Sequence, residues 1–227
     1  MSTTKLISGI VVAVLCFALP LFLPVGTLDW PRAWIFVAVV FVACAWSTAV
    51  VYRTSPGLLR ERFKPPVQEG QPLADKILVS LLLAAFFGLI IFIRVDVLRL
   101  HLLPKPGPAV SALGLALFIV GWWLMTLALR ENAFAAPVVK YQEERGQHVI
   151  DTGVYGVVRH PMYSGAVLLI FGMSLWLESY AGVIFAILPV ATLVARIVVE
   201  ERFLRRELKG YADYTKRVRY RLAPFVW

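Results

Sequence analysis

The chain has 227 residues, of which 59% are hydrophobic and only 16% are charged, whereas a soluble domain carries about 25% charged residues. Because the apolar residues are also gathered into long blocks, this composition excludes an ordinary soluble domain. The formal net charge of +9 does not indicate a nucleic-acid partner, since the basic residues lie between and after the apolar blocks.

Five apolar runs follow one another along the chain. Four of them contain no charge at all: residues 6–28, 33–52, 77–93 and 106–129. The fifth, residues 161–195, is interrupted only by Glu178. A helix that spans a bilayer takes about 17–25 mostly apolar residues, so the first four runs predict one span each and the last predicts two short helices that turn near Glu178 and Ser179. We expect an all-α integral membrane protein with about six spans; five spans with a half-inserted last segment is the alternative.

The basic residues are distributed unevenly about these spans. Six spans place both termini on one side of the membrane, together with 19 of the 23 Lys and Arg residues. Basic loops stay in the cytoplasm, so we expect both termini and the loops at residues 53–76 and 130–159 to be cytoplasmic. With five spans, the basic residues would be distributed over both sides of the membrane. The same basic surface predicts contact with anionic membrane lipids.

Residues 1–129 are interpreted as a transmembrane scaffold of four spans. Further spans follow the first run, which favours a retained helix over a cleaved signal. The Pro-rich and Gly-containing loop between the second and third spans predicts irregular structure with a short interfacial helix at residues 58–63. Cys16 and Cys44 lie inside predicted spans and lack the spacing of a disulfide framework or a zinc site, so we expect no metal.

Polar residues concentrate after residue 129, and Arg159-His160-Pro161 forms the first polar group. Proline is favoured in the first turn of a helix and disfavours helical backbone in the residue before it, so Pro161 predicts the start of the fifth span. The free N–H groups of that helix start, with Arg159 and His160, would bind a carboxylate or phosphate. An arginine that extends to lipid head groups beside an interfacial histidine is the alternative.

The second polar group lies at the end of the sixth span. Arg196 and Glu200 are four residues apart and share a helical face, and Glu201 and Arg205 share another face about 100° away. Because the last two spans form a hairpin, Glu200 is expected near the Arg159-His160-Pro161 group. A ligand that carries both an ammonium and a carboxylate would satisfy both groups, and ordinary ion pairs at the helix end are the alternative.

The segment GVYGVVRHPMYSG, followed after a helical hairpin by EERFLRRELKGYADYTKRVRYRLAP, resembles the isoprenylcysteine carboxyl methyltransferase and phospholipid methyltransferase superfamily. The resemblance covers about residues 130–225. Its matching residues are Gly153, Tyr155, Arg159, His160, Pro161, Tyr163, Glu200, Glu201, Tyr211, Tyr214 and Pro224. Asn132, Phe134 and residues 147–149 are similar to bacterial-type members of the group. The resemblance implies a methyltransferase core at residues 130–227, in a bacterial inner-membrane protein, with a cytoplasmic pocket for S-adenosyl-L-methionine that is not a Rossmann fold.

The resemblance and the predicted anion site together imply roles for individual residues. The expected cofactor-binding residues are Tyr155, Arg159, His160, Pro161, Tyr163, Glu200 and Glu201. Arg196 and Glu200 are the expected catalytic residues, and Arg196 matches an arginine that the family places beside the methyl acceptor. Displacement at the methyl group of a sulfonium requires no metal, because the donor is already activated. The acceptor is expected to be a lipophilic or prenylated molecule, and the sequence leaves open whether a carboxylate or an amine is methylated.

Two other functions remain open at this point. Membrane sterol reductases, which use NADPH, share an RHP-x-Y hairpin, but Met162 stands where they usually have Asn. A non-enzymatic transporter or membrane scaffold is the second alternative. Ionisable residues are scarce within the predicted spans, whereas a transport path usually contains some.

Overall fold

The computed structural model describes residues 2–227, which form nine α-helices joined by loops and short turns, without a β-strand. Six helices are long: α1 (Thr3–Phe22), α2 (Pro31–Thr54), α4 (Leu73–Val95), α5 (Pro108–Glu131), α6 (Pro161–Trp176) and α8 (Ile187–Glu207). Three are short: α3 (Pro56–Arg62), α7 (Tyr180–Phe185) and α9 (Tyr211–Arg217). The short helix expected at residues 58–63 is α3, and it begins earlier because Pro56 is favoured in a first helical turn.

Five helical segments are long and apolar enough to cross a membrane: Thr3–Phe22, Pro31–Thr54, Leu73–Leu100, Pro108–Glu131 and Tyr180–Glu207. The sixth apolar helix, α6, has 16 residues and is therefore about 24 Å long. The hydrocarbon core of a bilayer is about 30 Å thick. The predicted all-α membrane fold is confirmed, with five full-length helices and one shorter helix, and six crossings stay a prediction.

The last apolar run turns where the sequence predicted. α6 ends at Trp176, and Glu178 has a left-handed backbone with φ of 66°. Ser179 caps α7, because its hydroxyl accepts the backbone N–H of Gly182 at 2.7 Å. The same hydroxyl donates to the carboxylate of Asp96 at 2.6 Å. Glu178 forms an ion pair with Arg32 at 3.2 Å. The turn is therefore fixed to the ends of α2 and α4 at the side of the protein opposite the polar loops.

α5 and α6 pack antiparallel with their backbones in close approach. A Cβ atom added to Gly121 would lie 2.5 Å from the carbonyl oxygen of Gly165, and one added to Gly172 would lie 2.5 Å from the backbone nitrogen of Phe118. Only glycine fits at such distances, and small residues are the usual means by which membrane helices pack closely. This contact sets the position of α6 and of the residues at its start.

Both ends of the described chain lie at the same end of the helical bundle. Ser2 and Lys5 share a surface recess with Arg60 of α3 and with Phe63, which follows that helix. The carbonyl of Trp227 accepts the backbone N–H of Arg221 at 2.7 Å. α3, the loop between α5 and α6, and the C-terminal tail all meet at this end.

Candidate active site

A cavity of about 100 Å³ opens to solvent where α6 begins and α8 ends. Its polar lining includes five of the predicted site residues, namely Tyr155, Arg159, His160, Tyr163 and Glu200, together with Asn132, Gln147 and His148. Its apolar lining includes Phe134, Val149, Leu204 and Leu208. We call this space the polar cavity.

Pro161 starts α6, and His160 just before it has the non-helical backbone that a following proline favours. The His160 and Tyr163 rings stack with centroids 5.5 Å apart. Tyr163 donates its hydroxyl to Oε2 of Glu200 at 2.6 Å, so the start of α6 and the end of α8 meet as the hairpin predicted. Among residues 2–227, no donor contacts Oε1 of Glu200, and this half-buried carboxylate retains a free acceptor that faces the cavity.

Glu201 lies at the centre of a buried network rather than in the cavity wall. Its Oε1 accepts from Nε of Arg159 at 2.6 Å and contacts Nε2 of His160 at 3.2 Å, while its Oε2 accepts from Nε of Arg221 at 3.0 Å. The side chains of Arg159 and Glu201 are each only 4% exposed. Both carboxylate oxygens are thus occupied by the protein, and Glu201 does not pair with Arg205, the partner that helical spacing offered.

The same network anchors the C-terminal tail to the start of α6. Nη1 of Arg159 donates to the carbonyls of Val218 and Arg219 at 2.8 and 2.7 Å, and its backbone N–H donates to Tyr220 at 2.9 Å. Nη2 of Arg159 has no acceptor among the described residues. One edge of this guanidinium therefore supports the tail, and the other is available to the cavity.

Three buried tyrosines complete the wall beside the tail. Tyr214 donates its hydroxyl to the carbonyl of Tyr155 at 2.8 Å, and Tyr211 packs on Tyr214 with ring centroids 5.6 Å apart. Burial raises the pKa of Tyr155, Tyr211 and Tyr214 above the ordinary value of a phenol. These phenols therefore stay neutral and can donate hydrogen bonds.

The loop between α5 and α6 covers the other side of the polar cavity. Gln142 ties it together, because its side chain donates to the carbonyl of Phe134 at 2.8 Å and its backbone N–H donates to Gln147 at 2.8 Å. The rings of Phe134 and His148 meet edge to face at 5.1 Å. This internal bonding holds aromatic and polar side chains over the cavity without a regular helix.

Arg196 pairs with an acidic residue that the sequence analysis did not select. Its Nε donates to Oδ1 of Asp75 at 2.8 Å and its Nη2 donates to the carbonyl of Pro137 at 2.7 Å. Oδ2 of Asp75 accepts from Gln71 at 2.6 Å and from the backbone of Val139 at 2.8 Å. Asp75 lies in the first turn of α4, where an acid is ordinary, and the sequence carries no other signal for this contact.

A second cavity, of about 400 Å³, lies among the apolar helices. α1, α4, α5, α6 and α8 line it almost entirely with apolar side chains; its charged residues are Arg62 and Arg196. Met162 and Tyr163 belong to the walls of both cavities. This apolar cavity and the polar cavity therefore meet at the first turn of α6.

The predicted site residues thus divide into three groups. Tyr155, Arg159, His160, Tyr163 and Glu200 line the polar cavity. Arg196 lines the apolar cavity. Pro161 and Glu201 line neither cavity: Pro161 starts the helix, and Glu201 holds its neighbours in place. Within residues 2–227, no three His, Cys, Asp or Glu side chains are grouped as metal ligands.

Two comparisons with known proteins relate this site to methyl transfer. Residues 109–210 match the family model of phospholipid methyltransferases. The chain is also 27% identical, over 148 residues, to protein-S-isoprenylcysteine O-methyltransferase B of Arabidopsis thaliana, and the match covers 62% of this chain and 75% of that protein. These matches favour methyl transfer over the reductase and transporter alternatives. The family match extends from α5 to the end of α8, and it therefore includes the α6–α8 hairpin but neither Arg62 nor Asp75.

Proposed function

We propose that this chain, a membrane methyltransferase of the isoprenylcysteine carboxyl methyltransferase and phospholipid methyltransferase superfamily, transfers the methyl group of S-adenosyl-L-methionine to a lipophilic acceptor. The observation that carries the proposal is the meeting of two unlike cavities at Met162 and Tyr163. The polar cavity suits a water-soluble donor, and the apolar cavity suits an acceptor that arrives from the bilayer.

The residues of the polar cavity fit the donor. Its amino-acid part carries an ammonium and a carboxylate, and the cavity offers one unpaired group for each. Oε1 of Glu200 is free to accept from the ammonium, and Nη2 of Arg159 at the start of α6 is free to donate to the carboxylate. Phe134, Val149 and Leu204 give the cavity an apolar part that suits a flat adenine ring.

Methyl transfer requires the protein to align the donor with the acceptor rather than to move a proton. The bound donor supplies a methyl group that its positively charged sulfur already activates. Tyr163, held by Glu200, stands at the boundary between the cavities, where donor and acceptor would be aligned for in-line attack. Arg196 is held rigidly by Asp75, and its Nη1 has no partner among residues 2–227. We assign this remaining nitrogen to the acceptor.

We further propose that the end of the protein that bears the polar cavity faces the cytoplasm of a bacterial cell, across its inner membrane. The charge distribution supports this orientation, since 19 of the 23 Lys and Arg residues belong to that end in a six-span arrangement. The donor would then enter from the cytoplasm while the acceptor enters from the membrane.

Ligand binding to the detergent-purified protein tests the donor assignment. We expect S-adenosylhomocysteine, the demethylated product of the donor, to bind one per chain and raise the melting temperature. A ligand at 100 times its dissociation constant stabilises a fold by about 2.7 kcal/mol. NADPH at the same concentration should have no effect, and a shift with NADPH alone would contradict the proposal.

A further inference from the structure

The charges at the polar end of the apolar cavity do not cancel. Two arginines, Arg62 and Arg196, line this cavity, and no acidic residue does. Oδ1 of Asp75 forms an ion pair with Arg196, and Oδ2 of Asp75 accepts hydrogen bonds from Gln71 and Val139. Arg62 therefore cannot share that carboxylate, and one uncompensated positive charge remains beside an apolar space.

Arg62 has few partners. Its Nη1 donates to the carbonyl of Ala135 at 3.1 Å and lies 3.8 Å from Sδ of Met162. Within residues 2–227, no carboxylate lies within ion-pair distance of it, and its Nε and Nη2 donate to no acceptor. Burial lowers the pKa of the Arg62 guanidinium below its ordinary value, which is consistent with a cation that lacks an acidic partner.

The scaffold holds Arg62 in this position. It is the last residue of α3, a helix that buries Leu58 and Leu59 against Val51 and Ala135. The preceding residue, Glu61, pairs with Lys140 at 2.6 Å and so ties α3 to the loop over the polar cavity. Arg62 is thus a fixed cation contributed by the part of the chain that precedes the family match.

We propose that Arg62 is a specificity-determining residue that binds the anionic head group of the acceptor, so that this protein methylates a lipophilic carboxylate rather than an amine. The proposal rests on the proposed function. A lipophilic amine arrives protonated, and a second cation beside an uncompensated guanidinium in an apolar cavity is strongly disfavoured. Apart from Tyr163, whose hydroxyl donates to Glu200, no lining residue can accept the proton that an ammonium must lose before it attacks.

The reaction of a carboxylate balances without a base. One carboxylate oxygen forms a bond to the methyl carbon, and the bond from that carbon to sulfur breaks with its electron pair left on sulfur. The negative carboxylate becomes a neutral methyl ester, the positive sulfonium becomes a neutral thioether, and no proton moves. Because the ester no longer carries the charge that Arg62 binds, the product is held more weakly than the substrate.

Matched lipid probes test the charge preference separately from turnover. We would titrate two S-farnesyl thioethers, one ending in a carboxylate and one in a primary amine, into the detergent-purified protein with and without S-adenosylhomocysteine. Wild type should bind the carboxylate at least about tenfold more tightly, and methylate only that probe. Arg62→Gln should weaken carboxylate binding by roughly ten- to a hundredfold, the range of one charge-assisted hydrogen bond, with unchanged affinity for S-adenosylhomocysteine.

Two further variants separate recognition from structure. Arg60→Gln removes the same charge from the exposed face of the same helix and should bind both probes as wild type does. Arg62→Lys keeps the charge and should restore most of the carboxylate preference, which a purely structural role would not predict. Equal binding of both probes by wild type, or equal losses in Arg62→Gln and Arg60→Gln, would overturn the assignment. If the protein fails to bind S-adenosylhomocysteine, the proposed donor is refuted instead. The two failures can be distinguished, because the lipid probes are also titrated without S-adenosylhomocysteine.

Discussion

Glu200 and Glu201 are neighbours in sequence, and the structure gives them different surroundings. Glu201 is 4% exposed and binds two arginines and a histidine of the protein, whereas Glu200 presents a free oxygen to the polar cavity. We therefore expect the isosteric changes Glu201→Gln and Glu200→Gln to have opposite signatures. The first should mainly reduce stability, and the second should reduce donor affinity with little effect on stability.

The loss of stability expected for Glu201→Gln can be estimated from the partners of Glu201. Removing one member of a buried ion pair costs about 3–5 kcal/mol, because the other charge is left uncompensated. Arg159 keeps its two carbonyl acceptors, and Arg221 is 31% exposed and partly solvated, so we expect the lower limit, about 3 kcal/mol. For a chain of this size, 1 kcal/mol lowers the melting temperature by about 2–4 °C, which gives a decrease of about 6–12 °C.

Thermal unfolding in detergent measures this decrease, and Glu207→Gln is the matched control. Glu207 lies on the same helix, is exposed and has no ion-pair partner among the described residues. Titration with S-adenosylhomocysteine provides the second measurement, in which Glu200→Gln should lose about 1.5–3 kcal/mol of binding free energy. The reasoning is refuted if Glu201→Gln and Glu207→Gln have the same melting temperature, or if Glu200→Gln binds S-adenosylhomocysteine as tightly as wild type does.

Three further predictions follow from the helix packing, the acceptor side and the orientation. Gly121→Ala should lower the melting temperature in detergent by several times more than Gly88→Ala, since an added Cβ meets the Gly165 carbonyl at 2.5 Å in the first case and nothing within 4 Å in the second. Arg196→Gln should leave the affinity for S-adenosylhomocysteine nearly unchanged but slow methyl transfer about tenfold or more; equal losses of both would contradict its assignment to the acceptor. In intact bacterial cells, an impermeant thiol reagent should label Leu102→Cys and spare Gln147→Cys, and the reverse pattern would contradict the proposed orientation.

Much of the fold could be predicted because membrane helices are encoded locally. Long charge-free runs determine where the helices lie, and Pro161 marks the start of α6 through its own backbone preference. The superfamily prediction, which rested on the motifs from Gly153 to Pro224, agrees with the family match over residues 109–210. The turn near Glu178 and the short α6 were predicted too, but the length of the helix after the turn was not, because α8 continues to Glu207, beyond the apolar run that ends at residue 195.

The pairing of charges could not be predicted from local spacing. The four-residue spacing offered the pairs Arg196–Glu200 and Glu201–Arg205, yet Arg196 pairs with Asp75, which is 121 positions away, and Glu201 pairs with Arg159 and Arg221. An exposed pair within one helix is worth only about 0.3–0.5 kcal/mol. A buried charge without a partner costs much more than that, so tertiary contacts determine the partners wherever the side chain is buried.

The division into a scaffold at residues 1–129 and a core at residues 130–227 stays a prediction, and the contacts argue for a more active role of the first part. Asp75 of α4 orients Arg196, and α3 places Arg62 in the same apolar cavity. Both residues precede the family match, which begins at residue 109. The hairpin can therefore supply the polar cavity and its donor contacts, while residues 56–75 set the charge that the acceptor meets. Relatives that share the hairpin but differ in this segment should accordingly differ in acceptor rather than in donor, because a change at Arg62 alters the apolar cavity and leaves Glu200 and Arg159 in place.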